Sequence, residues 1–361
     1  MMSTEKRSEL ETMALKLLEL KDGYSRVLGL ATALSNKGQR EAAAQLEWLL
    51  IENAEPEALH HWRLKQNARA PANQYLLIND PRRTQAFRDA LAAVIQPGCT
   101  VLEIGTGSGI LAILAAQAGA GRVMTCEHQP LMAKIANDTV RDNRLEDTIT
   151  VIAKGADQLI LGEDLPEPAD VLICDVFTGA LLEAGGLGLM ARAAESLVKP
   201  NGHLVPYKGS IAGCLVGGEA LEALCRCRAN GNFDLGRFNL FAPTKLQLHP
   251  DQLDKLEYQI YSEPLECFEF KMGESDVSQS EQRSNEVEIT KSGNVTGLLQ
   301  WTNVELTHSV RLHAAPGESI RWPRFLHVFP EPVQVRSGQA LRLNLRHDGR
   351  QFSVWPSPGA L

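Results

Sequence analysis

The chain carries little that would tie it to a metal, a membrane or a nucleic-acid backbone. Its seven cysteines, among 361 residues, form no CxxC pair and no His/Cys cluster of zinc spacing. An odd number of thiols without a framework points to a reducing compartment. No apolar run approaches the ~18 residues that a membrane-spanning helix requires. The opening MMSTEKRSELE is charged where a secretory signal would be apolar, so a cytoplasmic protein is expected. Positive charge is also short. Thirty-six Lys and Arg against 44 Asp and Glu leave a net charge of -8, which gives no overall support for binding along phosphates. What remains is 44% apolar and 22% charged, an ordinary composition for a chain with a real core. The length suits two domains, or one large domain with an added piece.

Residues 8–53 read as two helices. The first ends at Asn36-Lys37-Gly38, a helix-stop signal, and the second sets Ala43, Leu46, Leu49 and Leu50 on one face. This hairpin resembles part of a tetratricopeptide unit, but no second copy follows. A lone hairpin cannot bury its own stripe, so it is expected to dock on the main body or on another subunit. After a further helix in RRTQAFRDALAAVI, strands at 100–104, 122–127, 148–153, 170–176 and 203–207 alternate with helices at 109–119, 130–143 and 186–198. That alternation predicts a doubly wound, mostly parallel sheet. Beyond about residue 208 short apolar runs such as CFEFKM, LLQWTNVEL, RFLHVF and LRLNLRH are separated by Gly, Pro and polar residues, which predicts an antiparallel barrel or sandwich. GESDVSQSEQRSNE, 273–286, reads as a solvated loop. The expected division is 1–58, 59–207 and 208–361.

The first strand runs into VLEIGTGSGI, 101–110. Gly105, Gly107 and Gly109 let the backbone approach a ligand where a Cβ would collide, and the next helix aims its N-terminus at the same place. The spacing is GxGxG, not the GxGxxG of dinucleotide sites. Glu103 before the first glycine would repel a pyrophosphate and suits a ligand with a positive centre. Glu127, at the end of the next strand, is placed to take both ribose hydroxyls, and Asp157 after the third strand to accept from an adenine amino group. A cationic ligand with adenosine on one side describes S-adenosylmethionine, hence a class I methyltransferase domain.

From about residue 60 to its end the chain resembles the protein arginine methyltransferases. NDPRRTQAFRDAL is similar to the family's helix before the first strand. FDLGRFNLF, SEPLECFEF, GNVTGLLQW and APGESIRW follow in the order of the family's barrel elements. The resemblance implies a Rossmann-like domain followed by an antiparallel β-barrel, with the N-terminal helices outside it. It also implies that Arg83 grips the cofactor's carboxylate, that substrate lies between domain and barrel, and that an arm near 224–245 supports a homodimer. Arginine-containing protein or a small guanidine compound would be the acceptor, with no nucleic acid or membrane as partner.

The family clamps the acceptor guanidinium between two acids of one loop. A guanidinium is cationic at physiological pH and its nitrogens are poor nucleophiles, so paired carboxylates can fix it and draw its charge away from the attacking nitrogen. Here the loop is ICDVFTGALLEAGGL, 173–187. Asp175 takes the first position, shorter than the family's glutamate. The second falls on Glu183 or on Ala184, depending on loop length. The barrel motif is also altered: Ile320 and Arg321 precede Trp322. Trp322 is expected to wall the substrate groove, and Arg321 to pair with Asp175 or hold a substrate carboxylate. His60 and His61 read as surface residues. The sequence thus points to methyl transfer onto a guanidino nitrogen of protein arginine or free arginine. Another amine or amide acceptor, or a cofactor-binding scaffold without turnover, remain as alternatives.

Overall fold

The computed structural model describes residues 4–20, 22–53, 62, 72–177, 180–183, 185–227, 232–274 and 279–357. Three helices come first, not two: α1 (Thr4–Leu18), α2 (Gly23–Asn36) and α3 (Arg40–Asn53). The break between α1 and α2 falls at Lys21-Asp22-Gly23, a polar turn signal inside the stretch read as one helix. There Gly23 lies so close to the Leu17 carbonyl that any Cβ would strike it. Ala14, Val27, Ala31, Leu46 and Leu50 close into a small core of their own. Of the four residues expected on one face of α3, Ala43, Leu46 and Leu50 are buried and Leu49 partly so. The unit also docks on the main body. The Lys134 ammonium stands 4.2 Å from the centre of the Trp48 ring.

Helices α4 (Ala72–Ile78) and α5 (Pro81–Val94) lead into the parallel sheet. Its strands are β1 (Thr100–Ile104), β2 (Arg122–Cys126), β3 (Ile149–Ile152), β4 (Ala169–Cys174) and β5 (Val198–Val205), in the order β3-β2-β1-β4-β5. Every pairing among them is parallel. Helices α6 (Ile110–Gln117), α7 (Pro130–Asp142) and α8 (Gly186–Leu197) connect them. β1 is buried along its whole length, as expected for a strand covered on both faces. The chain leaves β1 in one direction and later returns to its other side with β4. Between these two strands, at their carboxyl ends, open sheets of this kind bind ligands.

The second half is antiparallel. β6 (Lys208–Gly217), β7 (Lys245–Leu248), β8 (Gln259–Ile260), β9 (Leu265–Lys271), β11 (Gly293–Glu305), β12 (Arg311–His313) and β13 (Arg324–Val335) form one sheet. β10 (Glu281–Glu288), β14 (Ala340–His347) and β15 (Phe352–Pro356) form a second. The described ladders do not join the two sheets into one closed ring. The sheets meet through aromatic edges: Phe268 against His347 at 4.5 Å and His327 against Phe352 at 4.9 Å. Burial and the nearby Lys245 charge push His327 down to about 3, so this core histidine is neutral. One expectation fails here. The polar stretch 273–286 is not all loop, because Glu281–Glu288 pairs with β14 along its length. Its backbone bonds hold it while alternate side chains face solvent, with Glu286 paired to Arg342 at 2.7 Å, and Arg283 on the other face lies 4.5 Å from the centre of the Phe268 ring.

Candidate active site

The glycine turn after β1 has Gly105, Gly107 and Gly109 in the left-handed region, at φ 83, 52 and 85°. Residues with a Cβ rarely adopt that conformation. At Gly105 a Cβ would also stand 2.6 Å from the Val176 side chain, closing β1 against β4. At Gly107 nothing lies within 4 Å of the missing Cβ. That open space is part of a cavity of ≈ 310 Å³ at the carboxyl ends of β1, β2 and β4. Ile78, Met132 and Phe177 supply apolar wall, and Arg83, Glu103, Glu127 and Asp175 the charge.

Three carboxylates and one guanidinium line this cavity. Glu103 is 1% exposed and Glu127 7%. Burial lifts Glu103 from 4.5 to about 8; its hydrogen bond from the Thr125 hydroxyl, at 2.6 Å, and the Arg83 charge pull the other way. Asp175 is likewise raised by burial and opposed by Arg83. Arg83 Nε donates to Asp175 Oδ2 at 2.7 Å, and Nη2 contacts the same oxygen. Glu127 caps the start of the next segment, accepting from Gln129 N at 2.9 Å and from Gly107 N at 3.3 Å. The excess of acid and the open backbone at Gly107 fit a cationic ligand such as S-adenosylmethionine, and Arg83, held by Asp175, is the one Arg or Lys among the cavity's lining residues.

Four other expected residues lie elsewhere. Asp157 is exposed on the single turn Ala156–Gln158, outside the cavity wall. Glu183 is bound to Lys245, whose ammonium stands 4.1 Å from the centre of the Phe325 ring. The structure therefore does not pair Glu183 with Asp175. Trp322 is 2% exposed, behind the surface and not on a groove wall. Arg321 makes no pair with Asp175, whose partner is Arg83. Arg321 is exposed and is among the residues that line a separate cavity with His249, Asp251, Asp254 and Glu318. Ala184, His60 and His61 fall outside the described residues.

Two further residues shape this region without having been singled out in the sequence. Asp80 is 2% exposed and caps α5, accepting from Arg82 N at 3.0 Å and Arg83 N at 3.2 Å. Its other oxygen accepts from Arg321 N at 2.9 Å, so one carboxylate ties the helix bearing Arg83 to the barrel loop. The local signal was available: Asn-Asp-Pro is an N-cap followed by proline at the first helical position. Arg324, 1% exposed, fixes that loop from inside. It donates to the carbonyls of Ala314, Ala315, Glu318, Ile320 and Trp322 at 2.8–3.1 Å.

Comparison with known proteins places this geometry. A family model of ribosomal protein L11 methyltransferase matches residues 83–207. The chain is 34% identical over 276 residues to an arginine N(omega)-methyltransferase of Streptomyces achromogenes, covering 76% of each. It is 31% identical over 298 residues to protein arginine N-methyltransferase 7 of Oryza sativa, covering 77% of this chain but 41% of the rice protein. Among solved structures, the fold is shared with Trypanosoma brucei PRMT1 in its enzyme–prozyme heterotetrameric complex with AdoHcy. The TM-score is 0.67 at 22% identity, over 80% of this chain and 93% of that one. Arabidopsis thaliana protein arginine methyltransferase 10 gives a TM-score of 0.62 at 24% identity, over 75% and 86%.

Proposed function

Since the chain belongs to the arginine methyltransferase family, we propose that it transfers a methyl group from S-adenosylmethionine to a guanidino nitrogen of arginine. The observation that carries this reading is the buried Arg83–Asp175 pair inside an otherwise acidic cavity at the β1/β4 crevice. When bound, the cofactor supplies an electrophilic methyl group on a sulfonium. Glu127 takes the ribose hydroxyls, Glu103 the positive side of the ligand and Arg83 its carboxylate. The open backbone at Gly107 gives the ligand room. Asp157 belongs to this set only if the adenine reaches the exposed turn at Ala156–Gln158.

Asp175 holds the acceptor guanidinium and concentrates its charge away from the attacking nitrogen. A cationic guanidinium that gains a methyl group and stays a monocation must lose one proton. Asp175, raised by burial, is a better acceptor for that proton than a solvated carboxylate. Glu183 joins the clamp only after leaving Lys245, so Asp175 carries most of the interaction. Arg321 and Trp322 belong to the acceptor side, Trp322 by backing the loop that presents Arg321. We favour free arginine over peptidyl arginine as acceptor. The Streptomyces relative is named for arginine itself, and the altered acid loop and Arg321 depart from a peptidyl-arginine pocket.

The division at 1–58, 59–207 and 208–361 is retained. The functional molecule is a homodimer. Phe233, Phe238, Leu240 and Phe241 are 65–88% exposed in the segment after α9 (Glu219–Cys225), and apolar surface of that density marks an interface. Seven free cysteines support a reducing, cytoplasmic setting, and no described helix is long and apolar enough to cross a membrane. The test is mass spectrometry with labelled cofactor against free arginine, arginine-rich peptides and a lysate, for wild type and Asp175→Asn. Asp175→Asn should lower turnover about a hundredfold to a thousandfold while S-adenosylhomocysteine still binds. Label on no guanidine compound would overturn the reading.

A further inference from the structure

The two acids of the loop after β4 both stand against cations of the chain itself. Asp175 is paired with Arg83 inside the cavity, and Glu183 with the Lys245 ammonium on β7 of the second half. The same ammonium lies 4.1 Å from the centre of the Phe325 ring, on β13, which pairs with β7. The Glu183–Lys245 contact therefore ties the parallel-sheet domain to the antiparallel one, across the groove expected to take the acceptor.

The backbone just before Glu183 is strained. Leu181 is fully buried with φ 60°, a conformation that bulky residues rarely hold. Leu182 N donates to Ala180 O across it at 2.7 Å, the bond of a γ-turn whose positive-φ form is rare. Such a turn persists only where its surroundings hold it. Here the second half does so: on β6 a Cβ at Gly209 would stand 3.1 Å from both Leu181 methyl carbons. Leu181 is thus anchored on β6 and Glu183 on β7. The cavity of Asp175 is nevertheless close. At Gly186 a Cβ would stand 2.4 Å from the Val176 carbonyl oxygen and 3.0 Å from the Phe177 ring, and both of these residues line that cavity. Glu183 comes three residues before Gly186, so its Cα lies within about 11 Å of the Gly186 Cα.

We propose that Lys245 sets the affinity for the acceptor by competing with its guanidinium for Glu183. This rests on the guanidino-methylation reading above and deepens it. In the free protein Lys245 keeps Glu183 out of the clamp, and the incoming guanidinium meets Asp175 first. To gain a second acid it must displace an internal cation. The Lys245 and Glu183 side chains are 24% and 37% exposed, against 7% and 10% for Arg83 and Asp175. A partly exposed pair is weak, whereas a buried pair that loses one member leaves an uncompensated charge, so Lys245 is the cation that yields. A guanidinium brings Glu183 two parallel N–H donors where the ammonium is a point charge. With Lys245 displaced, the strained loop also loses one of its two anchors and can carry Glu183 toward the acceptor.

The experiment replaces Lys245 by methionine, which keeps an apolar stem over Phe325 and removes the charge. Kinetics with arginine and with an arginine-rich peptide are measured for wild type, Lys245→Met, Glu183→Gln and the double variant. Lys245→Met should lower KM about twofold to fivefold, the worth of a partly exposed ion pair, and change kcat far less. In the Glu183→Gln background the same substitution should change nothing. In parallel, enzyme holding S-adenosylhomocysteine is pulsed with acetic anhydride, and acetylation of Lys245 is read by mass spectrometry relative to the exposed Lys37. Calorimetry follows acceptor binding to the same complex. Saturating acceptor should raise Lys245 labelling toward the level of Glu183→Gln. A Lys245→Met variant whose KM is unchanged or raised overturns the competition, as does a bound acceptor that leaves Lys245 protected. If arginine or the peptide binds and exposes Lys245 but no guanidine compound is methylated, the guanidino-transfer reading fails and the competition stands. If neither binds, both fall.

Discussion

Glu103 sits 1% exposed at the end of β1, and burial carries its carboxyl from 4.5 to about 8. A change of that size corresponds to roughly 5 kcal/mol against ionisation in the free protein. The folded value lies above the unfolded one. The proton on Glu103 therefore contributes stability in full below about 4.5, and that contribution is lost as pH rises through about 8. A ligand with an ammonium beside Glu103 favours the charged form and expels the proton. At pH 7 the free protein keeps about 0.9 of a proton on a group titrating at 8, so ligand binding should release about 0.9 of a proton there and about 0.1 at pH 9. Calorimetry with S-adenosylhomocysteine in buffers of different ionisation enthalpy reads this number. The wild-type value minus that of Glu103→Gln removes the ligand's own titration. Glu103→Gln should also bind more weakly at both pH values. A difference between wild type and variant below about 0.2 proton at pH 7, or one that does not shrink at pH 9, would refute the placement of a positive ligand group beside Glu103.

Glu127→Ala should weaken S-adenosylhomocysteine binding about tenfold to a hundredfold, the loss of a charged acceptor for two hydroxyls; an unchanged dissociation constant in a folded variant would remove Glu127 from the site. Replacing Phe238, Leu240 and Phe241 together by serine should convert a dimer into a monomer by sedimentation without lowering the thermal midpoint of the monomer. A wild-type chain that sediments as a concentration-independent monomer would contradict the arm. Asp80→Ala removes the cap of α5 and the anchor of the barrel loop, and should cost about 1–2 kcal/mol in denaturant unfolding. It should also raise KM for the acceptor, because the loop carrying Arg321 is released. A stability loss with an unchanged acceptor KM would confine Asp80 to capping.

The order of elements and the glycine turn were readable because both are set locally. Alternation of apolar strands with helices dictates a parallel sheet, and backbone at positive φ calls for glycine at 105, 107 and 109 whatever lies elsewhere in the chain. Glu103, Glu127 and Asp175 were recognisable because each stands at a strand end, and Arg83 through the family resemblance of its helix. The sheet order then brings those positions to one cavity. The break at Gly23 carries a turn signal of its own, Asp22-Gly23, but the apolar residues on either side of it read as one continuous helix. The strand at 281–288 was hidden by its composition, since an exposed strand is held by backbone bonds that leave no apolar trace in the sequence.

Side-chain pairings between distant segments were beyond such reading, and they redistribute the expected site. Asp175 meets Arg83 across 92 residues and Glu183 meets Lys245 across 62, so neither acid faces the other. Spacing within the 173–187 loop could say that two acids were available. It could not say which cation each would find. The same holds for Arg321. Its place in the motif suggested a partner for Asp175, but Asp80 binds its backbone N–H and Arg324 knits the loop's carbonyls, and the residue lines the cavity of Asp251 and Asp254 instead. The two departures, Asp175 in place of the family's glutamate and Arg321 before Trp322, therefore have separate surroundings: Asp175 lines the cavity of Arg83, Glu103 and Glu127, and Arg321 the cavity of Asp251 and Asp254. A chain altered in this way retains the residues suited to S-adenosylmethionine and changes what it can present to a guanidine. That asymmetry is the physical ground for expecting a small acceptor rather than a peptide.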